Sequence, residues 1–226
     1  MKLIIFFVLV ALASARQCCG PRQIMAGNGA TVGIDNGSPE GYYTYAYGAF
    51  DYINRMFGYT MNVKNVDGKS SHVYRVVQKY EEDTEWIIHE VTRSCLRRKA
   101  YQPEPSPCVP ERADLSTTFF LGGAKGLEVD NWSYTYTSPK DPLDGVVALN
   151  TVHGSCIPMG GSIFGKVNSG GQEVSFVIAS GVLNMTRSIP DPNRWFTLPS
   201  YCNQSVTLSG DSTVFDHEVL KLPIFF

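Results

Sequence analysis

From Gly41 to Val63 the chain reads GYYTYAYGAFDYINRMFGYTMNV, and eight of the eighteen residues from Tyr42 to Tyr59 are Tyr or Phe. Tyr43, Tyr45 and Tyr47 alternate with smaller residues, and Phe57, Tyr59, Met61 and Val63 repeat the alternation beyond Gly58. A period of two puts each set on one side of an extended strand, whereas rings two apart do not share a helical face. A sheet face lined with rings has to be covered by a second sheet, a partner chain or an apolar ligand. The rings between 43 and 61 are therefore expected to form one wall of a concave, double-layered β body.

Similar patterns recur along the chain. Gly20 to Pro39 is glycine-rich around a short apolar run, Ala30 to Ile34, and predicts a first strand and a turn at Asp35-Asn36-Gly37. Asn65 to Ser71 is a hairpin turn centred on Asp67-Gly68, and Val73 to Tyr80 returns as a strand. Glu81-Glu82-Asp83 turns the chain into a strand over Trp86 to Cys95. Leu96 to Arg112 carries prolines at 103, 105, 107 and 110, which a central strand does not accommodate, so this stretch reads as a crossover loop pinned by Cys108. Asp114 to Leu121 is a brief strand or helical turn, and Gly126 to Thr137 alternates Trp132, Tyr134 and Tyr136. Pro139 to Gly145 is a turn, and Val146 to Val152 and Gln172 to Val182 are further strands. Pro190 to Pro199 is a rigid loop, followed by apolar runs at Val206 to Leu208 and Val219 to Phe226. No period of 20 to 50 residues repeats and no long helical pattern competes, so one all-β domain of about nine to eleven strands is expected.

The ends and the cysteines change the picture next. Lys2, the apolar run Leu3 to Leu12 and Ala13-Ser14-Ala15 read as a secretory signal peptide, residues 1–15, too short to span a bilayer. The expected mature domain is 16–226, with no later stretch apolar for long enough to form a transmembrane segment. Removing Lys2 leaves 18 basic against 21 acidic residues, a net charge of −3, which gives no footprint for nucleic acid and no polybasic membrane patch. All six cysteines, Cys18, Cys19, Cys95, Cys108, Cys156 and Cys202, fall in the mature chain. In an exported chain an even count reads as three disulfides, with fifteen pairings open. Adjacent Cys18 and Cys19 each reach for a distant partner; the alternative is one free thiol. The long spacings do not match a structural zinc module.

Chemical motifs are sparse. His72, His89, His153 and His217 are widely separated, with no metal-ligand spacing among them. Gly160-Gly161-Ser162 resembles a nucleophile elbow only superficially, and no C-x-x-C, P-loop or G-x-G-x-x-G is present. The sequence thus predicts no enzyme and no organic cofactor, with a hydrolase as the remote alternative, because a spatial triad depends on geometry rather than order. Sequons at Asn36, Asn131, Asn184 and Asn203 are candidate glycan sites. At Asn131, a strand would send the asparagine and neighbouring Trp132 to opposite faces. Glu81, Glu82 and Asp83, Glu128 with Asp130, and Asp141 with Asp144 are candidate hard-oxygen clusters. Taken singly each reads better as solvated turn charge, while weak extracellular calcium binding stays an alternative because it needs no tight motif.

An ordered set of short motifs carries a resemblance. It comprises CCGP at Cys18 to Pro21, Phe50-Asp51-Tyr52-Ile53-Asn54-Arg55, the strand ending in Cys95, and Gly122-Gly123 before Leu127-x-Val129-x-x-Trp132. It continues with Gly154-Ser155-Cys156-Ile157-Pro158, then Gly181-Val182 leading to Asp191-Pro192, Phe196 and Pro199-Ser200-Tyr201-Cys202. In these, from Cys18 to Cys202, the chain resembles ependymin-related proteins. The resemblance implies a secreted, disulfide-bonded glycoprotein that can dimerise. Its implied fold is two stacked, curved antiparallel sheets in a LolA-like half-barrel around an apolar pocket. It also implies calcium binding and links to cell–matrix adhesion, lipid handling, or extracellular and shell matrix. By the same resemblance Cys95 pairs with Cys202, one of Cys18 and Cys19 with Cys156, and Cys108 with the other. The leading expectation is a non-enzymatic carrier of a lipid or other apolar molecule. Met56, Phe57, Tyr59, Trp86, Trp132, Tyr134 and Trp195 are its pocket candidates, and ordinary core packing is the competing role for each. The rival expectation is a calcium-dependent matrix or adhesion component that holds no ligand.

Overall fold

The computed structural model describes residues 18–35, 37–100, 104–137, 143–169 and 172–202. Eleven antiparallel strands form one hydrogen-bonded sheet. They are β1 (Gln23–Asp35), β2 (Pro39–Asp51), β3 (Met56–Asn65), β4 (Ser71–Lys79), β5 (Thr84–His89), β6 (Ser94–Lys99), β7 (Asp114–Leu121), β8 (Leu127–Thr137), β9 (Leu143–Val152), β10 (Pro158–Ser169) and β11 (Gln172–Thr186). The order is β6-β5-β4-β3-β2-β1-β11-β10-β9-β8-β7. Two consecutive meanders are therefore joined along β1 and β11, from Met25 opposite Thr186 to Asp35 opposite Ser175. The all-β class and the curved antiparallel body are as expected, and the two expected layers are two halves of one continuous curved sheet.

Only the connection from β6 to β7 leaves the meander pattern, since it runs from one edge strand to the other. Its prolines keep it out of the sheet. It lies instead over the concave face, where Pro105, Ser106, Cys108 and Pro110 look across at Tyr134, Leu149 and Ile163 on the strands. We call residues 104–113 the strap. The Cys19–Cys108 disulfide holds it, flanked by Gly20 N–H donating to the Pro107 carbonyl (2.7 Å) and Val109 N–H to the Cys18 carbonyl (2.8 Å). Cys18–Cys156 ties the chain start to the β9–β10 turn, and Cys95–Cys202 ties β6 to the chain beyond β11. Of the pairings left open, Cys18 thus takes Cys156 and Cys19 takes Cys108.

The concave face carries the main core. Tyr42, Phe50, Phe57, Tyr59, Met61 and Val63 of β2 and β3 meet Tyr136, Val147, Ile163, Val174 and Phe176 of β8 to β11 in one cluster. Phe57 is fully buried and stacks edge-on against Tyr52 and Tyr80.

Tyr43, Tyr45 and Tyr47 do not belong to this wall. Parity sends them to the convex face, where Tyr43 and Tyr45 are 52% and 46% exposed. The reason is across the ladder, where Thr31, Gly29 and Gly27 of β1 face Tyr43, Tyr45 and Tyr47 in register. Strand glycines leave the sheet bare, and neighbouring rings lie over them; the Tyr45 hydroxyl would stand 3.1 Å from a Cβ on Gly27. The concave wall is the other row, Tyr42, Ala46 and Phe50, with Phe57 to Val63 as expected.

Other segments differ from the sequence reading as well. The expected strand Trp86 to Cys95 breaks at the turn 90–93 into β5 and β6, with Arg93 at φ 52°. The crossover accordingly begins after Lys99 rather than at Leu96. β10 was not expected, because Gly160, Gly161 and Gly165 dilute its pattern. The loop Pro190 to Pro199 contains α1 (Pro192–Phe196), capped by Asp191, whose Oδ1 accepts from Arg194 N–H at 3.2 Å. Of the turn expected at Pro139 to Gly145, residues 139–142 lie outside the described residues, as do the two C-terminal runs, and residues 143–145 already belong to β9.

Candidate functional site

A cavity of about 300 Å³ opens on the concave face beneath the strap, at the lower end of ordinary small-molecule sites. Val147, Leu149, Ile163 and Ile178 give it apolar walls, Tyr134 and Tyr136 one flank, and Gln78 and Tyr80 the other. It exists because the side chains run out locally. On β2 and β3 the face is filled by Phe50, Phe57 and Tyr59, whereas on β10 and β11 the floor is Gly160, Gly161, Ser162 and Ser180. The ladder is irregular there, between Pro158 and Gly160, and Gly160 sits at φ +126°. A Cβ on Gly160 or Gly161 would stand 2.2 or 2.1 Å from the carbonyl oxygen of Ser180 or Ala148, so these positions admit only glycine.

Polar groups lie at the rim and on one flank. Glu104 of the strap accepts from Arg55 Nη2 at 2.6 Å and from Arg55 Nε at 3.0 Å on each oxygen, which fastens the strap to the β2–β3 turn. Arg112, exposed at the strap's end, holds its guanidinium carbon 5.6 Å over the Tyr134 ring and 6.0 Å over that of Tyr136. Burial raises the Tyr80 phenol well above the usual range, with Glu85 and Glu104 adding to it, and burial likewise raises Tyr134. Both are neutral hydroxyls at any physiological pH. Behind Gln78, the almost fully buried Glu85 accepts from Gln78 and from Arg98, so its charge is matched.

Among the expected pocket residues, Tyr134 lines this cavity. Phe57 and Tyr59 face the same side but are consumed in the core cluster. Trp132 shares their parity, and its Nε1–H donates to Thr151 Oγ1 at 3.0 Å. Met56, Trp86 and Trp195 are corrections, since all three lie on the convex side. Met56 and Trp195 pack with Ala49 and Tyr47 under α1, and Trp86 packs with Val77, Ile88 and Cys202. For Met56 and Trp86 alternation decides it, because Phe57 and Ile87 take the concave positions beside them, whereas Trp195 belongs to α1, which packs on the convex face. The glycine–serine floor and Arg112 were missed. The visible signal was small residues at matching places in GGS and ASG, Gly161 opposite Ser180 and Gly160 opposite Gly181.

The acidic candidates do not assemble. Glu82 pairs with Lys79 and Asp83 with Lys99, each at 3.2 Å. Asp130 accepts from Thr118 Oγ1 at 2.7 Å and lies 2.9 Å from His153 Nδ1, an interaction that raises the imidazole pKa. Glu81 and Asp144 are exposed, Glu128 is half-buried, and Asp141 lies outside the described residues. Calcium asks for six to eight oxygens, and among the described residues no three His, Cys, Asp or Glu side chains could hold a metal ion. Asn184 is exposed and Asn131 donates to Asn150 at 2.8 Å, while Asn36 and Asn203 lie outside the described residues.

The family profile for Ependymin matches residues 68–202. The Development-specific protein LVN1.2 of the sea urchin Lytechinus variegatus is 31% identical over 164 residues, 70% of this chain and 86% of that protein. The chain belongs to the ependymin family. Among solved structures it is similar to a LolA superfamily protein of Nitrosomonas europaea, at 10% identity and a TM-score of 0.34, over 79% of this chain and 91% of that one. The ependymin match covers β4 to β11 with the strap, so it includes every residue that lines the cavity. No helix among the described residues of this ependymin is long and apolar enough to cross a membrane.

Proposed function

We propose that this ependymin is a secreted, single-domain glycoprotein that carries a lipid or other apolar molecule in the cavity under the strap, without catalysing a reaction. The observation behind this reading is the interruption of a tightly filled concave face by a glycine–serine floor with apolar walls. Apolar surface buried there contributes about 25 cal/mol per Å², enough for a partly covered chain to offset modest ordering costs. The leader-like first fifteen residues and three disulfides support export to an oxidising compartment. The test is native mass spectrometry of the deglycosylated, secreted protein before and after delipidation. A reproducible adduct that is lost on delipidation and restored by added lipid is expected; protein that takes up no lipid would overturn the proposal.

A second reading, a self-associating matrix or adhesion component, has one observation in its favour. Edge strand β7 exposes Leu115, Phe120 and Leu121, and unpaired apolar edges are templates for pairing. Concentration-dependent dimerisation of lipid-free protein, lost in Phe120→Lys, would favour it.

A further inference from the structure

The carrier reading leaves open which amphiphile the cavity takes, and the charges at its rim bear on that. We infer that the ligand is an apolar chain ending in an anion, a carboxylate or a phosphate, with the anion seated on Arg112.

The inference rests on the proposed carrier function and on a difference between two charged groups. Glu104 and Arg112 are the charged side chains that line the cavity. Glu104 is neutralised within the protein, because Arg55 grips both its oxygens. Arg112 has no carboxylate partner among the described residues. It is nevertheless placed, with its guanidinium over both Tyr134 and Tyr136 at the boundary between water and apolar wall. A guanidinium held at this distance over ring faces is attracted by its charge and keeps N–H donors available for a planar or tetrahedral anion. A cation without a carboxylate partner among the described residues, set beside an apolar cavity, favours a ligand that brings a negative head and a hydrocarbon tail together. The tail would run along Val147, Leu149, Ile163 and Ile178 toward the floor at Ser180. At the opposite flank the neutral Tyr80 hydroxyl and the Gln78–Glu85–Arg98 set present no free charge of their own.

The experiment compares dodecanoate, dodecyl phosphate and dodecan-1-ol by calorimetric titration on the delipidated full-length secreted protein and on Arg112→Gln. Arg112 is an exposed strap residue, so unchanged thermal unfolding is expected for the variant. At least one anion should bind the wild type about tenfold more tightly than the alcohol, and Arg112→Gln should remove that preference. The preferred anion then distinguishes a fatty-acid head from a phosphate head. Equal binding of all three by the wild type, or an anion preference that survives in Arg112→Gln, would overturn the inference and leave the carrier reading standing. Absence of binding by all three would overturn both.

Discussion

Gly58 and Trp195 touch so closely that a Cβ on the glycine would stand 2.4 Å from the tryptophan carbonyl oxygen. The contact seats α1 on the convex face, where Arg75 Nη2 donates to the carbonyls of Arg194 (2.7 Å) and Thr197 (2.8 Å). Gly58→Ala must push the helix away, and overpacking of this kind costs about 1–3 kcal/mol. A lowered unfolding midpoint with faster amide exchange confined to 192–199 is expected. The cavity is on the other face, so ligand affinity should not change.

The two ring rows should respond differently to truncation. Phe57→Ala removes a fully buried ring and should cost about 3–5 kcal/mol in denaturant unfolding. Tyr45→Ala, which uncovers the β1 glycines on the convex face, should cost about 1 kcal/mol or less. Comparable losses would contradict the facing assigned here.

Asp51 sets an acid dependence. Its Oδ1 accepts from Ile53 and Asn54 N–H at 3.0 Å, and its Oδ2 from Asn54 Nδ2 at 2.7 Å and Gln23 Nε2 at 3.0 Å. Burial pushes the carboxyl up, but these bonds outweigh it and hold the pKa below the ordinary 3.8. The stabilisation is therefore complete above the unfolded value and disappears as pH falls through the lower folded one. Asp51→Ala should cost about 2 kcal/mol near neutrality and show a shallower loss of stability below about pH 4 than the wild type.

His153 has the opposite sign. Its hydrogen bond to Asp130 raises its pKa above the ordinary 6.5, so its contribution is complete below that value and is lost as pH rises through the folded pKa. Melting curves from pH 6 to 9 should fall slightly for the wild type, and His153→Gln should remove that component.

Much of the fold was legible because alternation and turn residues agree along both meanders. The facing of the tyrosine row was misread although its cause lay in the sequence. With Asp35 opposite Pro39, the β1–β2 register centres on Gly37 and places Gly27 and Gly29 opposite Tyr47 and Tyr45, and rings opposite glycines belong over them. β5 and β6 merged in the reading because Glu90 to Arg93 contains neither Gly nor Pro, and the turn is made by Arg93 at positive φ. The cavity was less legible because it is a deficit of side chains, visible only when β10 is laid against β11. The strap's place over it follows from β6 and β7 being opposite edges, which local pattern does not reveal.

The most direct test of the carrier account fills the floor. Ser180 points into the cavity between Gly161 and Ile178, so Ser180→Phe puts a ring where the ligand tail would lie. In calorimetric titration with dodecanoate the wild type should bind one equivalent, and Ser180→Phe, at a similar unfolding midpoint, should bind at least about tenfold more weakly. Equal affinity in the two proteins would place the ligand elsewhere and contradict the account.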